Sequence, residues 1–332
     1  VHSVGIVGAG KIARVHAANA AALHDLRVGA VADVDASSAD ALSREIGCDV
    51  ATSVVELFAR DDVEAVLITT PPTTHADLVE AAAAAGKNVF CEKPLAQNVE
   101  DAARAASACE RAGVVLQVGY NRRFDENFRA ARDAVQGGRI GRPWIVRISS
   151  RDPAPPPADY LPLSGGLFID TTSHDFDLAR FLVGAEIVEL TATAASLADP
   201  HAKEIGDVDT AIVALVFAND AIGAIDNCRV SAYGYDQRVE IHGSSGMVRA
   251  DNELASTVTV ADAEGFHAPK LPHFYLDRYG PAFRRELESF ARALDGEAPE
   301  VSGRDGVAAV AAAAAAKRAY DEQRTVRLDE VA

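Results

Sequence analysis

Within the stretch 165–177, which reads GGLFIDTTSHDFD, three side chains able to hold or move a proton recur at helical spacing: Asp170, His174 and Asp177. At i, i+4 and i+7 they would share one helix face about two turns long. A neutral imidazole titrates near pH ~6.5, so it can both accept and return a proton. A carboxylate one turn away can orient the ring or stabilise its charged form. Gly165 and Gly166 permit a tight approach of the backbone. Phe176, Leu178, Phe181 and Leu182 would anchor the helix through its apolar side. Taken alone, the same spacing also describes a solvated Asp–His pair near a helix start, worth about a few tenths of a kcal/mol.

A second set of residues upstream calls for a cofactor. The apolar strand 3–7 runs into Gly8-Ala9-Gly10-Lys11-Ile12-Ala13 and then into a helix reaching residue 23. In a GxGxxA turn the first glycine makes the tight bend, the second lets the backbone meet a pyrophosphate, and the small third residue lets helix and strand pack. The helix N-terminus, with Lys11 and Ile12, then faces the phosphates. The next strand, 26–32, ends at Asp33, where an acid can accept hydrogen bonds from the adenosine ribose. That favours NAD, while the ammonium of Lys11 could attract a 2′-phosphate and keeps NADP open. Strand 63–69 delivers Thr70, Pro71 and, at the next helix start, His75. Strand 88–91 delivers Glu92-Lys93-Pro94. Both lie at carboxyl ends of strands, the edge where open α/β sheets bind ligands. A proline-rich helix start and a surface lysine are the plain alternatives for these two turns.

The elements that must hold these residues fall into two patterns. Up to about residue 120, strands alternate with helices (37–46, 54–59, 75–85 and 99–112), as in a parallel sheet covered on both faces. Beyond it come longer strands at 144–150, 187–196, 209–217, 221–230, 237–242 and 247–250, with Asn219-Asp220 as a hairpin link. Helices at 281–294 and 305–320 and a last strand at 325–328 follow. The expected fold class is therefore α/β: a Rossmann domain at 1–120 and, at 121–332, an α+β domain with one large, mostly antiparallel sheet. Strand 209–217 is apolar on both faces, so helices would cover one and a partner subunit could cover the other.

Bulk composition limits the partners. With 32 basic against 49 acidic residues in 332, the net charge of −17 disfavours nucleic acid and anionic membrane. Small polar molecules are the expected ligand class. Cys48, Cys91, Cys109 and Cys228 form no ligand spacing, so no metal site and no disulfide framework is expected. The alanine runs 81–85 and 311–316 are shorter than a membrane span. The opening residues read as a strand rather than a signal peptide, and reduced thiols suit a cytoplasmic protein.

GAGKIA, Asp33, the Glu92-Lys93-Pro94 triplet and the Gly165–Asp170–His174 segment occur in an order that resembles the glucose-fructose oxidoreductase and inositol 2-dehydrogenase (Gfo/Idh/MocA) family, most closely its inositol 2-dehydrogenases. The segments 119–128, 150–153, 206–211, 233–246 and 274–283 extend the resemblance nearly end to end. It implies an NAD-dependent oxidation of a secondary alcohol, with Lys93, Asp170 and His174 as the catalytic set, and a homotetramer. His174 would take the hydroxyl proton, Asp170 would orient the ring or bind an adjacent hydroxyl, and Lys93 would hold the reacting oxygen. The implied substrate is a cyclic polyol, myo-inositol first, giving the 2-ketone. Asn121, Arg122, Asp152, Asp177, Tyr235 and Tyr279 would join Lys93, Asp170 and His174 as hydroxyl contacts. Arg122 could equally pair with Asp125 at a helix start, and the tyrosines could simply pack. Scyllo-inositol or a pyranose remains an alternative substrate. An NAD-dependent glycosidase or a non-catalytic dinucleotide sensor would be a different use of the same fold.

Overall fold

The computed structural model describes residues 1–331. The chain forms two compact units, one of Val1–Phe124 with Pro281–Ala311, the other of Asp125–Gly280 with Ala312–Ala332.

The first unit is a parallel six-stranded sheet. Its strands are β1 (His2–Val7), β2 (Leu26–Ala32), β3 (Asp49–Val50), β4 (Ala65–Ile68), β5 (Asn88–Glu92) and β6 (Leu116–Gly119), in the order β3-β2-β1-β4-β5-β6. Order reverses between β1 and β4, which opens the crevice where such sheets bind ligands. The crossovers are α1 (Lys11–Ala22), α2 (Ala36–Ile46), α3 (Val54–Ala59), α4 (His75–Ala84) and α5 (Val99–Ala112). Helix α1 lies close because it turns small residues inward: Ala13, Ala17 and Ala20 are fully buried against Val4, Ile6 and Phe90. Asp35 and Asn98 cap α2 and α5 by accepting backbone N–H groups, and Gly47 and Gly113 end those helices.

Residues 281–311 belong to this unit, although the sequence reading put the first boundary at 120 and everything after it in the second domain. Phe283, Leu287, Phe290 and Ala291 recur at helical spacing, and the last three sit in the core of the first sheet. They lie on α9 (Tyr275–Leu294), which is kinked at Tyr279 just before Pro281.

The second unit is a seven-stranded sheet. It comprises β7 (Pro143–Arg151), β8 (Ile187–Ala195), β9 (Thr210–Phe217), β10 (Ile222–Cys228), β11 (Asp236–Gly243), β12 (Gly246–Ala250) and, numbered out of turn because a short hairpin β13 (Val260–Asp262) and β14 (Gly265–His267) precedes it, β15 (Val326–Arg327). The order is β12-β11-β7-β10-β9-β8-β15, with β7 and β10 parallel and every other pair antiparallel. Asp220 adopts the positive φ that the β9–β10 hairpin needs. Helices α6 (Glu126–Gln136), α7 (Ser173–Val183), the short α8 (Pro200–Glu204) and α10 (Gly303–Glu322) complete the helices. The hairpin β13–β14 and the short α8 were not foreseen, and of α6 only a helix start near Asp125 was.

Strand β9 is covered on one side only. Ala211, Val213, Leu215 and Phe217 are buried, while Ile212 on the other face is 61% exposed. Register carries that open face across the sheet, in the row Val216, Ile222, Ile145, His242 and Met247.

Candidate active site

In the first unit the carboxyl ends of β1, β2, β4 and β5 carry the expected cofactor residues. Gly8 has φ +93°, and a Cβ there would stand 3.0 Å from Thr70 and 3.1 Å from the Thr69 backbone. Gly10 is the opposite case: a Cβ would meet nothing within 4 Å, so the backbone ahead of α1 is bare where a pyrophosphate would lie. Asp33 accepts the Ala9 N–H at 2.6 Å through one carboxylate oxygen and the Asp35 N–H at 2.8 Å through the other. It thus stiffens the glycine turn from the end of β2. Lys11 is exposed beside it and Ile12 half-buried. The turn therefore fits a dinucleotide.

His75 is placed differently from a ligand contact. It is 1% exposed, with Nε2 against the Thr70 carbonyl at 2.8 Å and Nδ1 against the Pro94 carbonyl at 2.7 Å. Burial holds it below the ordinary imidazole range, outweighing those two carbonyls. A neutral ring carries one N–H and donates to one of these two carbonyls at a time, so His75 sits between the Thr70-Pro71 turn and the Glu92-Lys93-Pro94 turn with both nitrogens facing backbone instead of a ligand. Pro71 is exposed and Thr70 half-buried on that turn. Lys93 is half-buried, and Glu92 is buried and bonded to His16. Asn121 and Arg122 are both 4% exposed, in a short 3-10 turn closing the unit.

In the second unit Gly165 and Gly166 both take positive φ, as the tight approach requires. A Cβ on Gly166 would come within 3.0 Å of Asp207. The chain then makes a π turn over Phe168–Thr172 before α7 begins at Ser173. A π turn carries an extra residue, so the segment beyond it falls out of phase with a straight α-helix. Asp170 lies within that turn and is the residue it re-phases, while His174 and Asp177 stand three apart on α7 and keep their relative phase. Asp170 and His174 are half-buried, whereas Asp177 is 1% exposed, with Arg180 at 3.7 Å. A substrate contact by Asp177 does not suit that burial.

Asp170 is held from two sides. The Tyr160 hydroxyl donates to it at 3.0 Å, and the buried guanidinium of Arg229 stands at 3.6 Å. Arg229 also donates to Asp207 at 2.7 Å, and Asp207 accepts the Leu167 N–H at 3.2 Å. Beneath His174, Asp175 is fully buried and accepts from Asn227 at 2.9 Å, while Thr172 donates to Asn227 at 2.7 Å. Asp152 is half-buried at the end of β7, its N–H bonded to the Cys228 carbonyl. Tyr235 and Tyr279 are buried and meet edge to face, ring centroids 5.9 Å apart. The carboxylate of Asp125 caps α6 and pairs with Arg278.

Sequence reasoning missed Tyr160, Arg229, Asp207, Asp175 and Asn227. Their signal was thin: each is an ordinary polar residue in a loop, strand or helix start, and only the fold brings them together.

A profile described as an oxidoreductase family with an NAD-binding Rossmann fold matches residues 2–120, and one described as the GFO/IDH/MocA C-terminal domain matches 128–249. The chain is 43% identical over 330 residues to the myo-inositol 2-dehydrogenase of Thermotoga maritima, covering 99% of each. It is 44% identical over 325 residues to the inositol 2-dehydrogenase of Rhizobium meliloti, covering 98% of each. The scyllo-inositol dehydrogenase of Lactobacillus casei, solved with bound NAD(H) and scyllo-inositol, superposes with a TM-score of 0.92 at 29% identity, covering 99% of each chain.

Proposed function

The chain belongs to the GFO/IDH/MocA family of oxidoreductases, with an NAD-binding Rossmann domain, and from that premise we propose that it oxidises a secondary hydroxyl of a cyclic polyol, myo-inositol to its 2-ketone. The observation that carries the reading is local. Of the polar residues between 170 and 177, only Asp170 and His174 are not buried, one turn apart and supported from beneath.

When bound, NAD supplies the acceptor for the hydride that leaves the carbinol carbon. Gly8, Gly10, Lys11, Ile12 and Asp33 hold its adenosine and pyrophosphate, and Thr70, Pro71, Glu92 and Lys93 its nicotinamide end, with His75 as the strut between them. His174 takes the hydroxyl proton. Asp170, fixed by Tyr160 and Arg229, orients that imidazole or an adjacent hydroxyl. The Lys93 ammonium holds the reacting oxygen and favours alkoxide character. Asp152, half-buried, supplies a further hydroxyl contact, whereas Asn121, Arg122, Tyr235 and Tyr279 are buried like Asp177 and do not suit that role. Scyllo-inositol is the second reading, favoured by the likeness to the Lactobacillus casei enzyme.

The protein acts in the cytoplasm as a homotetramer, without nucleic-acid or membrane partners. The open row through Ile222 and Met247 supports a second copy covering the sheet. Among the described residues, no helix is long and apolar enough to cross a membrane.

NADH formation by the purified protein with NAD and each of myo-inositol, scyllo-inositol, D-chiro-inositol and glucose tests the reading. Turnover of one inositol, reduced about 10²–10⁴-fold in His174→Asn with NADH binding kept, is the expected outcome. NADH binding without turnover of any inositol would defeat it.

A further inference from the structure

Three ionisable side chains of the first unit meet in one buried place that the proposed chemistry leaves without a task. His16 of α1 and Glu286 of α9 are fully buried, Glu92 at the end of β5 is 8% exposed, and their donor atoms lie within 4.8 Å of one another. The lining is apolar: Phe90 and Phe283 stand 5.0 and 5.8 Å from the His16 ring. His16 Nε2 meets Glu92 Oε1 at 2.5 Å, and the Lys93 N–H donates to the other Glu92 oxygen at 3.3 Å.

Glu286 is the anomaly. Neither carboxyl oxygen has a hydrogen-bond partner among the described residues. Its backbone is nevertheless fixed, because Gln117 donates to the Glu286 carbonyl at 2.8 Å and is itself held by Ser289 at 3.1 Å. The side chain is thus kept pointing at Glu92 and His16. Two full negative charges there would each forgo several kcal/mol of hydration, with no cationic side chain in the cluster unless His16 is protonated. Side-by-side carboxylates in such a site keep a proton on one of them.

A divalent cation would suit the donor types but not the spacing. Ligand atoms about 2.1 Å from one ion stand roughly 3.4 Å apart when tetrahedral. The 2.5 Å between His16 Nε2 and Glu92 Oε1 is a hydrogen-bond separation, shorter than two ligands of one ion would keep.

We propose that His16, Glu92 and Glu286 form a single-charge cluster, in which Glu286 stays a neutral carboxylic acid and positions the Glu92 carboxylate, and through it the Lys93 amide, for the nicotinamide end of the cofactor. This rests on the assignment of Glu92 and Lys93 to that end. Burial first, and then the charge of Glu92, push Glu286 well above the usual carboxylate range. The titratable groups facing it are Glu92 from β5 and His16 from α1; β6 presents neutral Gln117. Loss of the Glu286 proton at alkaline pH sets a second charge against Glu92, which swings away and weakens cofactor binding. Glu286 is in this sense a positioning residue.

NADH binding, followed by fluorescence across pH for the wild type and Glu286→Gln, reads the alkaline limb. Infrared difference spectra of the same pair read the protonation state. The wild type should lose affinity at alkaline pH by about tenfold, the weight of one pKa unit. Glu286→Gln, with no proton to lose, should flatten that limb, and the wild type should show a carboxylic-acid C=O band at neutral pH that the variant lacks. In Glu92→Gln the same band should titrate away at lower pH than in the wild type, which gives a reading even if Glu286→Gln does not fold. A carboxylate band at neutral pH, a limb that persists in Glu286→Gln, or a stoichiometric divalent metal released by that substitution would overturn the proposal. Neither readout depends on polyol turnover, so failure to oxidise any inositol would strike the functional reading and leave these results interpretable.

Discussion

Each unit of this molecule sets a pair of carboxyl groups against one basic side chain, and the two pairs are neutralised by different means. In the first, Glu92 and Glu286 lie among phenylalanines, with the titratable imidazole of His16 between them. In the second, Asp170 and Asp207 stand on either side of Arg229, whose guanidinium is fully buried. A proton exchanges with solvent, whereas a guanidinium keeps its charge at any working pH. The first arrangement therefore answers to pH and the second to covalent change. That difference suits their neighbours: Glu92 adjoins the lysine proposed to hold the reacting oxygen, and Asp170 must stand still beside the proposed base.

Arg229→Leu should produce the largest effect. It strands two carboxylates that share one cation, the circumstance in which removing one partner of a buried pair costs about 3–5 kcal/mol. Thermal unfolding should shift down on the order of 10 °C for a unit of this size. Arg229→Lys should recover only part of that, since one ammonium lacks the fork that reaches both acids. A melting temperature unchanged in Arg229→Leu would mean that Asp170 and Asp207 are satisfied without the guanidinium, and the contrast between the units would vanish.

A second, smaller effect lies in how stability depends on pH. Glu286 binds its proton more tightly in the folded than in the unfolded chain, so stability should fall as pH rises above the unfolded carboxyl value of about 4.3 toward the raised folded one. Asp209 and Asp236 of the second unit go the other way. Burial raises them, but the N–H groups of residues 197–199 outweigh it at Asp209, and Arg238, Tyr233 and Asn252 at Asp236. Their contribution is present above about 3.9, the unfolded value, and is lost as pH falls through the lowered folded values. Denaturant unfolding across pH should therefore decline at both ends, with Glu286→Gln lifting only the alkaline side. If that variant instead changes the acid side alone, Glu286 is ionised in the native protein.

The fold was legible because its signals are periodic. The parallel strands, the glycine turn and the alternating strands of the second sheet each follow from spacing, and α5 begins and ends at the expected residues. The site was legible in part. Asp170 and His174 emerged from an i, i+4 spacing, but the packing that buries Asp177 beside Arg180 has no simple residue signature. Glu286 did leave a trace: it stands between Phe283 and Phe290 on an otherwise apolar helix stripe, as His16 stands between Ala13 and Ala20. A charged residue on a buried stripe marks a partner across the core. Arg229 left no such mark, since its meaning depends on Asp170 and Asp207, which are remote in sequence.

Tyr160→Phe should give the smallest effect and the sharpest division of labour at Asp170. Burial and the adjacent Asp170 both push the phenol above its ordinary range, so at working pH it remains a hydrogen-bond donor. Its bond to Asp170 is 3.0 Å long, and Arg229 still stands 3.6 Å away when it is lost. A hydrogen bond to a charged group contributes about 1.5–3 kcal/mol at most, and here a second support remains. Turnover of the polyol should drop by roughly tenfold or less, near the 1.4 kcal/mol that a tenfold change represents. The pH optimum should stay in place, because the proposed proton carrier is His174 and Asp170 merely loses some of its fixity. A loss approaching that of His174→Asn, with the optimum displaced, would make the phenol itself the proton carrier. The guanidinium would then serve to hold Asp170 against Tyr160 rather than against the imidazole.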